Sequence, residues 1–204
     1  MPLQNRVTPF GEIVALAGRG LLTGNRGILH DDDRRIVRPF QVRRWLTCRL
    51  EYRGIRRTLM RPHSWTELFF LDEATSLGAG HRPCAECRRE EYKRFCALWK
   101  TRYGASTSAD LIDRKLHANR ISRRKKLTFA EDIANVPDGA FVVLEGRARL
   151  VWNAKLLAWS DAGYVHSLPR SVHGEVEVLT PRPIVQILRA GYVPAVHPSA
   201  LNER

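Results

Sequence analysis

The sequence predicts an α+β protein, with a mixed N-terminal half that holds a β-hairpin and helices and a smaller β-rich C-terminal half. Three observations predict it. Residues 44–53 alternate, with Leu46, Cys48, Leu50 and Tyr52 on one face and Trp45, Thr47, Arg49, Glu51 and Arg53 on the other, the period of a half-buried strand. Tyr92, Phe95, Cys96 and Trp99 recur at i, i+3, i+4 and i+7, the apolar stripe of a helix that faces a core. From Pro137-Asp138-Gly139 onward, short apolar runs are broken by turn residues, as in a string of strands. The division falls near residue 105, giving regions 1–105 and 106–204 that pack either separately or as one domain.

Taken in order, Gly24-Asn25-Arg26-Gly27 reads as a turn, because Asn and Gly tolerate positive φ. The alternating strand at 44–53 is followed by Arg53-Gly54-Ile55 and a second run, Arg56 to Arg61, which together predict a hairpin with a basic outer face. Thr66 to Leu71 is a short apolar strand, and Asp72 is placed to cap a short helix ended by Gly78 and Gly80. A longer helix is predicted over 85–100 and another over 109–116. Strands are predicted at 140–145, 148–152, 156–159 and 175–179, and a closing helix at 183–189 has Pro181 and Pro183 near its start.

Charge bounds the partner. The net charge of +13 repels itself in a folded chain and calls for an anionic partner. The charge is in blocks: residues 34–61 carry ten arginines and one acid, Glu51, and residues 114–126 carry seven Lys or Arg and no acid. Arginine's planar fork grips phosphate through two donors. Arg43, Arg44, Arg49, Arg53 and Arg56 are therefore expected phosphate contacts, as are Arg114, Lys115, Arg120, Arg123, Arg124, Lys125 and Lys126. The expected partner is nucleic acid, DNA ahead of RNA. No apolar run reaches the roughly 18 residues of a membrane span, and Met1 to Arg6 has no basic-then-apolar leader; the chain is expected in the cytoplasm, away from membranes.

The four cysteines, Cys48, Cys84, Cys87 and Cys96, read as metal ligands or reactive thiols ahead of disulfides in a cytosolic chain. The informative string runs from Leu68 to Arg88: apolar strand, Asp72, short helix, glycine, then Arg82-Pro83-Cys84-Ala85-Glu86-Cys87. Two thiolates two residues apart at a helix start can chelate one Zn²⁺, and a helix N-terminus favours the thiolate form. This string resembles the Cys-rich metal-binding domain of the Ada DNA-repair proteins and similar modules attached to some nucleases. The resemblance implies a zinc thiolate site associated with DNA, in which one metal-bound cysteine accepts a methyl group from a damaged backbone phosphate. It covers only residues 68–88. Its second cysteine pair carries over onto Cys84 and Cys87; its first would fall at 53–57, where this chain has none, so the methyl-transfer chemistry does not carry over.

Zinc is the expected cofactor, and its further ligands are open. His63 stands in a suitable region, and neutral imidazole is a good ligand. Cys48 is the other candidate, although alternation sets it among Leu46, Leu50 and Tyr52, as a buried structural thiol. Cys96 belongs to the helix stripe. Pro83-Cys84-x-x-Cys87 is also half of a zinc deaminase signature, but Cys48 to Glu51 is one residue too long to supply the other half. Glu67, Asp110, Asp113, His117, His166 and His173 could serve a nuclease or glycosylase, yet no spacing marks them as a site. An RNA-binding β-module with Trp152, Trp159 and Tyr164 as stacking faces is a further alternative.

Overall fold

The computed structural model describes residues 1–54, 58–104 and 108–202. The chain is α+β, as its patterning predicts. Its elements are β1 (Arg6–Val7), β2 (Ile13–Val14), β3 (Leu22–Asn25), β4 (Leu46–Arg49), β5 (Leu68–Phe70), α1 (Glu73–Gly78), β6 (Arg82–Pro83), α2 (Arg89–Tyr103) and α3 (Ala109–Arg120). There follow β7 (Ile121–Ser122), β8 (Lys125–Lys126), β9 (Phe129–Asp132), β10 (Phe141–Leu144), β11 (Arg147–Trp152), β12 (Lys155–Ser160), β13 (Gly163–Pro169), β14 (Glu175–Val178), α4 (Arg182–Arg189) and α5 (Ser199–Asn202). A first six-stranded sheet has the order β2-β1-β5-β3-β4-β6, a second has β13-β12-β11-β10-β14-β9, and β7 and β8 form a separate ribbon. No helix among the described residues is long and apolar enough to cross a membrane.

The main core fills the space between the helices and the second sheet. Phe95 and Trp99 of α2 and Ile112 and Leu116 of α3 join Val142, Val151 and Val178 of the strands. Ile184, Val185, Ile187 and Leu188 of α4 are buried in the same cluster, each contributing about 1.5–3 kcal/mol by leaving water. The region on either side of residue 105 thus shares one core. Asp72 caps α1 by accepting from Thr75 N at 2.8 Å, and accepts from Tyr164 Oη at 2.8 Å, so the cap also ties the first sheet's side of the chain to β13. Tyr164 is buried in the second sheet's core, and the partly buried Trp152 and Trp159 pack against it.

The hairpin expected over 44–61 is replaced by a different pairing. The strand stops at Arg49, the described part of the second run, 58–61, is turn and irregular structure, and β4 is flanked instead by β3, antiparallel, and β6, parallel. Arg56 lies outside the described residues. Leu46↔Arg82 and Thr47↔Pro83 set the parallel register. The two faces of β4 also differ from expectation: Trp45 and Thr47 are buried, at 3% and 0% exposure, while Leu46, Cys48, Leu50 and Tyr52 line a cleft. The alternation had the right period, but the larger apolar set faces the cleft.

Candidate metal centre and basic face

Parallel pairing of β4 with β6 brings the cysteines together. Cys84 N donates to Thr47 O at 2.9 Å, extending the strand ladder by one bond, and Arg88 N donates to Cys84 O at 3.2 Å, closing the turn that returns Cys87. Cys48, Cys84 and Cys87 then present sulfurs that all lie within 4.8 Å of one another. A zinc ion with Zn–S bonds of about 2.3 Å holds its sulfurs about 3.8 Å apart, so the group needs at most a small contraction to close on one ion. The two motif cysteines sit in the turn that precedes α2, which starts at Arg89, and not within its first turn as expected.

Charge at the thiols is arranged by hydrogen bonds. Cys84 is held below the ordinary thiol range by hydrogen bonds from Cys48 and Cys87, helped by the backbone N–H groups of Cys87 and Glu86. Cys48 is pushed up because its thiol donates to Cys84 and Cys87 and is buried. Cys87 accepts from Cys48, but its bond to Cys84 and its burial outweigh this and raise it, while the Arg49 N–H favours its thiolate. Backbone N–H groups aimed at sulfur stabilise the anionic form that a metal requires.

Cys48 is thus a member of the cluster and not a core thiol. His63 is exposed and is not part of the group; it sits in a turn with φ 56. Cys96 packs against the main core. Among the described residues no other group of histidines, cysteines and acids converges in this way. Of the polar residues considered for catalysis, Glu67 accepts from Met60 N at 2.8 Å, Asp113 takes Arg82 through two bonds of 2.8 Å, and Asp110 and Asp113 both approach Arg44, at 3.3 and 3.8 Å.

The turn that carries the thiols is anchored by buried ion pairs. Arg88, next to Cys87, meets Glu73 of α1 at 2.8 Å, with both side chains buried. Glu73 in turn accepts from Tyr192 Oη at 2.6 Å and Ala195 N at 2.9 Å. Arg82 of β6 meets Asp113 of α3. Neither pair is suggested by sequence spacing, since each partner lies far from the other along the chain.

Beside the thiols is a pocket of about 310 Å³, lined by Leu50, Tyr52, Trp65, Glu67 and Phe69 as well as the three cysteines. A neighbouring cleft of about 600 Å³ is lined by Arg43, Arg44 and Arg114 together with Asp110 and Asp113, and shares Asn25, Leu46 and Trp65 with the first. The two basic blocks of the sequence therefore meet. The Arg120 side chain of the second block also donates to the carbonyl oxygens of Gly80 and of Arg43 in the first block.

The remaining expected phosphate contacts divide into two groups. Arg49, Arg53, Arg114, Lys115, Arg123, Arg124 and Lys125 are exposed. Arg49 and Arg53 are loosely paired, to Glu91 at 3.8 Å and Glu86 at 3.9 Å, contacts worth little at a solvated surface. Arg120 and Lys126 are not surface residues: Arg120 is 1% exposed, and the half-buried Lys126 donates to Gly78 O at 2.7 Å. Helical spacing signals the first of these, since Arg120 follows Ile112 and Leu116 at i+8 and i+4 on the apolar stripe. No family model, curated protein or solved structure matches the chain.

Proposed function

We propose that the chain binds nucleic acid, DNA ahead of RNA, on the basic face next to a zinc thiolate centre formed by Cys48, Cys84 and Cys87. The observation that carries this reading is the convergence of Arg43, Arg44 and Arg114, from two separate basic blocks, in one cleft that adjoins the thiol pocket. Guanidinium groups grouped in a concavity suit the phosphate backbone, and Tyr52 and Trp65 in the adjoining pocket offer aromatic surface for a base. The resemblance of residues 68–88 to a DNA-associated module favours DNA. The donor set, three sulfurs within reach of one ion, suits zinc by ligand softness. Bound there, zinc would fix the turn that carries Glu86 into the wall of the thiol pocket.

Fluorescence anisotropy with a labelled DNA duplex at low ionic strength tests the reading. Micromolar or tighter binding is expected, weakened at least tenfold in the triple variant Arg43→Ala, Arg44→Ala, Arg114→Ala. Equal affinity in the variant overturns it.

A second reading, an enzyme acting on nucleic acid, is favoured by the coordination number. Three protein ligands beside an open pocket is the pattern of catalytic zinc, whose fourth position takes water or substrate. Cleavage or base release by the zinc-loaded protein, lost in Cys84→Ser, would support it over simple binding.

A further inference from the structure

A third cleft, of about 690 Å³, lies between the N-terminal strands and the β7–β8 ribbon, and its wall includes Arg26, Trp45, Arg120 and Lys126. Arg26 and Arg120 are each 1% exposed. Both guanidinium carbons lie 4.0 Å from the Trp45 ring centroid, so two cations share one aromatic ring. Arg26 Nε donates to His81 Nε2 at 3.2 Å, and Nη1 donates to Gly11 O at 2.9 Å. Because an arginine can only donate, His81 is neutral here, with its proton on Nδ1. Arg26 Nη2 and Arg120 Nε reach no acceptor among the described residues.

Elsewhere the chain neutralises its buried arginines: Arg82 has Asp113 and Arg88 has Glu73, each at 2.8 Å. Among the described residues Arg26, Arg120 and Lys126 form no ion pair with a carboxylate. Glu12 and Glu177 belong to the wall of the same cleft, but among the described residues neither forms an ion pair with these cations. Asp113, whose charge reaches Arg120, is already held by Arg82. Burial lowers Arg26 to about 9 with nothing opposing it. A buried charge without a counter-charge costs several kcal/mol, and an anion in the cleft would remove that cost.

The rim repeats the pattern. Arg38, Arg124 and Lys125 are exposed, line the same cleft and are in no ion pair among the described residues. Ser122 to Lys125 close the ribbon through Arg123 and Arg124, with φ of 47 and 67. Left-handed backbone at both loop positions is the geometry that favours Asn-Gly. Two arginines there are strained, and they add two adjacent like charges.

We infer that this cleft binds a phosphate group, gripped by Arg26 and Lys126 at its base and by Arg38, Arg124 and Lys125 at its rim. The phosphate is that of a free phosphate or mononucleotide, or the terminal phosphate of a nucleic-acid strand. The inference stands apart from the DNA-binding reading, because Arg43, Arg44 and Arg114 line a different cleft.

Calorimetric titration of the full chain with inorganic phosphate, at ionic strength held constant with chloride, tests it. Saturable binding is expected, at least tenfold weaker in Arg26→Met and in Arg124→Gly. Glycine suits the left-handed position, so Arg124→Gly keeps the fold even where Arg26→Met fails to fold. Competition then separates the sources: preference for a 5′-phosphorylated oligonucleotide over its 5′-hydroxyl form assigns a strand end, and tighter binding of a nucleoside monophosphate than of either oligonucleotide assigns a free nucleotide. Absence of saturable phosphate binding, or binding unchanged in Arg124→Gly, overturns the inference, whatever the outcome with duplex DNA.

Discussion

The backbone N–H of Cys84 donates to the carbonyl oxygen of Thr47 at 2.9 Å, and this bond sets Cys48 beside Cys84 and Cys87. A metal site built this way depends on strand register, so a residue outside the Cys-x-x-Cys motif is as necessary as those within it. Metal analysis of the purified protein is expected to find one zinc per chain. Cys48→Ser should lower that content as much as Cys84→Ser does, while Cys96→Ser, in a core-packed helix, should leave it unchanged. Full zinc content in Cys48→Ser would remove Cys48 from the site.

The Arg82–Asp113 pair locks β6, the strand that leads into Cys84, to α3. Both side chains are nearly inaccessible, at 2% and 4% exposure, and removing one partner of a buried pair leaves an uncompensated charge. Asp113→Ala is expected to cost about 3–5 kcal/mol, read as a lower urea midpoint. Asp110→Ala removes only an exposed contact to Arg44 at 3.3 Å and should cost less than about 1 kcal/mol.

What the sequence conveyed and what it hid follow from the range of the interactions. Local chemistry was legible: Asp72 caps α1, Phe95 and Trp99 face the core, and four of the five strands after Pro137 are where the apolar runs put them, β13 (Gly163–Pro169) being the one not foreseen. Pairing between distant segments was not. The alternation at 44–53 could not disclose that β6 would take the flank expected for a hairpin partner, and so Cys48 read as core. A run of like charge likewise hides which members point inward; Arg120 was recoverable from its spacing behind Ile112 and Leu116, whereas Arg26 gave no such signal: the stretch read as a turn is in fact the end of β3, which runs through Gly24 and Asn25, and Arg26 follows in a bend.

Lys126 gives the fold a pH dependence. Burial, then Arg26 and Arg120, lowers it from 10.5 to about 7. Below that value it is protonated in both folded and unfolded chains, and the folded state bears the cost of the enclosed charge. Between about 7 and 10.5 the unfolded chain binds more protons, so this group makes stability rise with pH. His81, held well below 6.5 by burial and by Arg26, Arg120 and Lys126, stays neutral across that window. Lys126→Met should therefore compare best with the parent at pH 6 and progressively worse toward pH 10, in urea midpoints. A difference independent of pH would show that Lys126 keeps its proton throughout.

The salt dependence of DNA affinity tests the proposed function most directly. Each neutralised phosphate contributes about −0.9 to the slope of log K against log salt concentration. The parent protein is predicted to lose DNA affinity steeply as salt rises, and the variant lacking Arg43, Arg44 and Arg114 should show a slope shallower by up to about 3. Affinity that does not change with salt, or an identical slope in the variant, would contradict a nucleic-acid interface on this face.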